Sequence, residues 1–106
     1  MSDFSTTLAP LVILINTDES NVLADLDDAN TIIIYSPSTL TNTIRVQVSY
    51  NGTNFYDLKS SGSNVTIGVD AAVTITDIAF NYLKLKASGN EAAERTFIAR
   101  KQYTVR

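Results

Sequence analysis

The run Asp25-Leu-Asp27-Asp28-Ala-Asn30 gathers three carboxylates and an amide within six residues. Several oxygen ligands supplied by one short loop are what a calcium site requires. The glycine and the terminal glutamate of an EF-hand loop are missing, so the run reads first as a solvated loop of turn-forming residues. Elsewhere the catalytic inventory is thin. The chain has no His and no Cys, which removes imidazole and thiolate from nucleophile–base pairs and from metal sites. Two carboxylates working as acid and base need a placed cleft, and nothing singles out two of the eleven acids. The expectation is a protein that is not an enzyme, with no cofactor and no catalytic or metal residue.

Binding chemistry has more to work with. Phe55, Tyr56, Tyr82 and Tyr103 are candidates for a sugar-stacking platform, and Asn51, Phe55 and Tyr56 are the candidate ligand contacts. Against this, aromatic residues in strands more often pack, and the chain lacks Trp. The basic residues Lys84, Lys86, Arg100 and Lys101 are candidates for an interface with acidic partners. The charge distribution points the same way. Net charge is −3; residues 1–53 hold six acids and one base, whereas residues 54–106 hold seven bases and five acids. Such a split is either a chance imbalance of solvated residues or a device for head-to-tail or side-to-side self-association. Scattered bases in an acidic chain argue against nucleic acid as a partner.

These residues must be positioned by β structure. A chain of 106 residues fits one domain. Charged residues make up only 18%, and Thr, Ser and Asn supply the remaining polar surface. Residues 1–10 read as an extended N-terminal arm and 11–106 as the domain. Leu11–Asn16 is apolar but too short to span a bilayer and lacks a basic flank, so it reads as a buried strand rather than a signal or anchor. Asn21–Ala29 is compatible with one helical turn or a short irregular strand that uses Val22, Leu23 and Leu26. Thr31–Ser36 carries three successive isoleucines, expected to be buried on both faces.

From Thr43 the alternation is regular. Ile44, Val46, Val48 and Tyr50 are expected on the core face, with Arg45, Gln47 and Ser49 opposite. Asn51-Gly52 signals a tight hairpin, because both residues tolerate positive φ. Phe55–Lys59 reads as the return strand, Ser60–Asn64 as another turn and Val65–Gly68 as a short strand. Further strands follow at Ala72–Thr76, at Tyr82–Ala87 with Leu83, Leu85 and Ala87 inward, and at Thr96–Val105. Gly89–Glu94 reads as a loop or a capped helical turn with a structural role. About eight short extended segments separated by Gly, Asn, Ser and Asp turns predict an all-β, single-domain antiparallel β-sandwich or small barrel.

Two resemblances attach to these segments. The run Ile44-Arg-Val-Gln-Val-Ser-Tyr-Asn-Gly-Thr-Asn-Phe-Tyr-Asp-Leu58 is similar to the "VxVSxDGxxW" hairpin of discoidin-like, galactose-binding jelly rolls. Ile78-Ala-Phe-Asn-Tyr-Leu-Lys-Leu-Lys-Ala87 is similar to their "ARYLRL" strand. That likeness implies a jelly-roll sandwich and, as an alternative function, a carbohydrate-binding module with host glycans as ligands. From about residue 36 to 105 the order of segments resembles small structural proteins of tailed bacteriophages. This second likeness implies a virion protein: a capsid decoration (cement) subunit, or a neck or tail component. Its expected partners are the major capsid protein or other virion proteins and copies of itself, with neither nucleic acid nor membrane.

Overall fold

The computed structural model describes residues 2–76 and 78–105, with side chains described for 5–76 and 78–103. Its strands are β1 (Ser2–Thr7), β2 (Leu11–Ile13), β3 (Thr31–Tyr35), β4 (Ile44–Ser49), β5 (Tyr56–Asp57), β6 (Lys59–Ser60), β7 (Ser63–Asn64), β8 (Thr66–Ile67), β9 (Ala72–Thr76), β10 (Tyr82–Ala87) and β11 (Arg95–Val105). Among the described residues there is no helix, and Asn21–Ala29 resolves to an irregular edge segment.

The first sheet runs β1-β11-β3-β9, with β2 continuing the β1 lane along the other end of β11. Thr7 faces Arg100 and Leu11 faces Phe97, so Leu8, Ala9 and Pro10 oppose only Ile98 and Ala99. This one-residue bulge is accommodated chemically: Leu8 N–H donates to Ala99 O at 2.8 Å, and Pro10 has no N–H to leave unpaired. Ser2–Thr7, expected within an arm, is therefore extended and paired with β11 of its own chain.

The second sheet runs β10-β4-β5, with β8 beside β5 on the same edge of β4. Its other edge is covered by Asp18–Leu23, through bridges Glu19–Lys86 and Leu23–Leu83. Each sheet thus has four lanes. From β2 the chain passes to the second sheet at Asp18–Leu23, returns for β3, crosses for β4, β5 and β8 (with β6 and β7 a separate two-stranded hairpin between the last two), returns for β9, crosses for β10 and returns for β11. This alternation is a jelly roll. The lanes match the expected number of segments but not segment for segment: Phe55–Lys59 and Val65–Gly68 contribute to one lane, and the Asp18–Leu23 edge supplies another.

Both inner faces feed one core. Leu11, Ile13, Ile32, Ile34, Ile75, Phe97 and Ala99 come from the first sheet, while Ile44, Val46, Ile67, Leu83, Leu85 and Ala87 come from the second. Leu23 and Leu26 close it from the edge segment, whereas Val22 is exposed. Each buried Leu, Ile or Phe contributes about 1.5–3 kcal/mol.

Three expectations are corrected. Ile33 is only half-buried, because β3 has one face on the core and one on the surface. Tyr50 is 67% exposed and Ser49 is buried in its place; β4 ends at Ser49, whose hydroxyl turns inward to hold the following loop. The tight hairpin lies at Ser61-Gly62, not Asn51-Gly52. Ser61 and Gly62 have φ of 53° and 84° between β6 and β7, as a two-residue type I′ turn demands. At the earlier site only Gly52 has positive φ, within a longer loop that brings Tyr56 opposite Val48.

Candidate interaction surface

Alternation along β10 puts Lys84 and Lys86 on the outer face of the second sheet, beside the covering segment. Lys84 Nζ lies 3.0 Å from Glu19 Oε1, and Lys86 Nζ lies 2.7 Å from Asp18 Oδ2. These contacts have electrostatic consequences. The hydrogen bond from Lys86 holds the Asp18 carboxyl below its usual range, that from Lys84 does the same for Glu19, and Asp18 in turn raises Lys86. Lys101 on β11 donates to both carboxylate oxygens of Asp28, at 2.7 and 3.0 Å. Arg45 meets Asp57 at 2.8 Å, and Asp57 is held low first by Gln47 and then by Arg45, against the cost of burial.

The acidic first half and basic second half of the chain therefore meet within one molecule. Three of the four interface candidates already have acidic partners at home. Arg100 differs: its Nη1 donates to Thr7 Oγ1 at 2.8 Å and its Nη2 to Ser5 Oγ at 3.0 Å. Among the described residues it forms no ion pair with an acid.

The candidate ligand contacts lie in and just after one loop and engage different partners. Asn51 Oδ1 accepts from the N–H groups of Thr53 and Asn54, each at 2.9 Å, and Ser49 Oγ accepts from Gly52 N–H at 2.8 Å. That amide oxygen shapes its own loop, an Asx-type turn. Phe55 lies under Lys84, whose Nζ is 4.5 Å from the ring centroid. Tyr56 is exposed and borders a shallow hollow of about 270 Å³ with Tyr50 and Phe80. Asp25, Asp27 and Asp28 form no metal cradle: no group of three potential ligands converges among the described residues, and Asp28 is engaged with Lys101.

Glu91 is the buried charge whose role the sequence conceals. It is fully buried and accepts from Thr41 N–H and Asn42 N–H at 2.9 Å, from Asn42 Nδ2 at 2.8 Å and from Arg95 Nε at 3.0 Å. Burial pushes its pKa up, but the Thr41, Asn42 and Arg95 donors together outweigh that and hold it below the ordinary value. Of the two readings of Gly89–Glu94, a loop or a capped helical turn, the structure shows the loop. The Glu91 carboxylate ties the loop before β11 to the loop before β4.

No family model matches the chain, and no curated protein matches it. Among solved structures it is similar to the SPBc2 prophage-derived protein YomS, with 7% identity over 95% of this chain and 93% of that one and a TM-score of 0.66. It is also similar to a structure described as "Bacillus endospore appendages form a novel family of disulfide-linked pili", with 12% identity, 99% and 90% coverage and a TM-score of 0.56. A third likeness is to the Yersinia pseudotuberculosis-derived mitogen YPM, with 9% identity, 98% and 86% coverage and a TM-score of 0.50. At these identities the likeness is one of fold.

Proposed function

We propose that this chain is a non-enzymatic structural protein of a bacteriophage virion, a capsid decoration (cement) subunit that binds neighbouring capsid proteins and copies of itself. The observation that carries the reading is the likeness to prophage-derived YomS over nearly the whole of both chains. The chemistry agrees. With no His or Cys, and with Glu91, Asp57, Asp18 and Glu19 engaged in holding segments together, the carboxylates serve cohesion. The disulfide linkage named for the Bacillus pili is chemically closed to a chain without cysteine.

The surface offered for assembly is apolar more than charged. Leu14 and Ile15 are each 56% exposed and Val22 is 45% exposed, on segments joined by the Ile13–Ser20 bridge. Burying them against a shell subunit removes apolar area from water. A subunit that binds the assembled shell alone shifts the shell toward its intact state by mass action.

Purified protein mixed with particles stripped of it is expected to co-sediment with them and raise their disruption temperature. Absence of association with heads would exclude the decoration role, and binding to isolated tails instead would assign the chain to the neck or tail.

A further inference from the structure

The outer face of the first sheet contains a hollow of about 320 Å³ bordered by Ser5, Thr31, Ile33, Tyr35, Arg100, Lys101 and Gln102. We propose that it binds a small hydroxylated carboxylate, a sugar acid of about the size of a hexuronic acid.

Strand register assembles the hollow. Arg100 stands between Thr7 and Ile33, and Gln102 stands between Ser5 and Thr31. Alternation along β3 sets Tyr35 on the same face as Thr31 and Ile33. Half-buried Ile33 supplies an apolar floor, and Tyr35, 41% exposed, stands at one side.

Charge selects the ligand. Arg45, Lys84, Lys86, Arg95 and Lys101 each contact a carboxylate, and Arg100 does not among the described residues. Lys101 borders the hollow but its ammonium is turned to Asp28. Ser5 and Thr7 accept two hydrogen bonds from Arg100, leaving the other donors of the five-donor fork for a ligand. The same hydroxyls hold the guanidinium in place before a ligand arrives, which lowers the ordering cost of binding. A guanidinium beside an apolar floor favours a carboxylate, through charge-assisted hydrogen bonds that water screens less.

The rest of the lining selects hydroxyl groups. Thr31 and Gln102 offer a hydroxyl and an amide, and Tyr35 adds an aromatic side chain to the lining. The volume lies at the lower end of small-ligand sites, which run about 300–1,000 Å³ and combine apolar walls with a few placed polar groups. An Asp or Glu side chain from a neighbouring protein would satisfy Arg100 but leave most of this space and both rim groups unfilled. The site needs one copy of the chain, so it stands or falls independently of the virion reading.

The test is a titration of the ¹⁵N-labelled full chain with glucuronate, glucose and acetate, followed by amide shifts and calorimetry. Glucuronate is expected to give saturable shifts at Ile33, Tyr35, Arg100 and Gln102. Glucose and acetate are each expected to bind at least about tenfold more weakly, a loss of roughly 1.4 kcal/mol. Arg100→Gln should weaken glucuronate binding by a similar factor while its thermal midpoint stays near that of the parent. Gln102→Ala, at an exposed position, should weaken it by a smaller factor and guards against a folding defect in the first variant. Equal affinity for glucose would remove the carboxylate from the argument, and equal affinity for acetate would remove the hydroxyl groups. An absence of saturable shifts would overturn the site. The same amides shifting with protein concentration alone would identify the face as an interface between copies instead.

Discussion

Arg95 Nε lies 3.0 Å from Glu91 Oε1, and the Glu91 side chain is wholly inside the protein. A buried carboxylate is stable only where its lone pairs are filled, and here Thr41 and Asn42 fill them from the loop ahead of β4. Glu91→Ala removes the acceptor and leaves two backbone N–H groups and Arg95 Nε without it, although Arg95 Nη2 still donates to Thr41 Oγ1. The expected loss is about 3–5 kcal/mol, read from urea denaturation. Glu91→Gln keeps one acceptor oxygen and should lose less. Equal stability of parent and alanine variant would show that the loop pairing does not depend on this residue.

The same carboxylate contributes to an acid limb of stability. Asp18, Glu19, Asp57 and Glu91 all have pKa values held below their ordinary 3.8 (Asp) or 4.5 (Glu). A depressed folded-state pKa gives stability that is fully present above the unfolded value and is lost as pH falls through the folded one. The urea midpoint should therefore be flat near neutrality and decline below roughly pH 4.5. Lys86 has the opposite sign: its raised pKa contributes below the ordinary 10.5 and is lost only as pH rises beyond it. Glu91→Gln should flatten the acid limb, and a slope unchanged by that substitution would assign the limb to the surface acids.

Loop chemistry gives a graded pair of substitutions. Gly62 has φ of 84° with open space where a Cβ would stand, so Gly62→Ala meets backbone strain alone, about 1–2 kcal/mol. Gly52 has φ of 79°, and its added Cβ would also stand 3.2 Å from Cζ of Tyr82. Gly52→Ala should therefore cost more than Gly62→Ala in thermal or urea unfolding. The reverse order would mean that the Tyr82 ring moves aside without penalty.

Those two glycines also show what was legible in the chain and what was not. Period-two alternation located β10 at Tyr82–Ala87 and β9 at Ala72–Thr76 to the residue, because a face on the core writes itself into side-chain polarity. The choice between Asn51-Gly52 and Ser61-Gly62 as the tight turn was not legible from local propensity. Ser49 and Asn51 spend their polar atoms on a wider loop, and Ser61 accepts a positive φ that serine usually avoids. The partners of Lys84, Lys86 and Lys101 were hidden for a different reason: each acid lies more than sixty residues away in sequence. Only the jelly-roll crossings bring Asp18, Glu19 and Asp28 beside them, so neither a chance imbalance nor a device for association describes the charge split, which pairs within the chain. The Arg100 hollow was half visible, as a basic residue in a strand; its hydroxyl supports come from β1, which alternation in a short polar segment does not announce.

This internal pairing makes a prediction about assembly. Lysines that already face acids in their own chain have little left to offer a neighbour, so Lys84→Met and Lys86→Met should leave particle binding and self-association unchanged. Their effect should appear in the monomer as a small fall in thermal midpoint that shrinks as salt rises, since exposed pairs are weak and screened. Leu14→Asp and Ile15→Asp should do the reverse: 56% exposed in the free chain, both positions tolerate a charge in the monomer, yet a charge buried unpaired at a subunit boundary is costly. Sedimentation with stripped particles, beside thermal unfolding of the free chain, separates the two classes. Particle binding lost with the lysine variants and kept with the aspartates would place the assembly surface on the charged face of the second sheet.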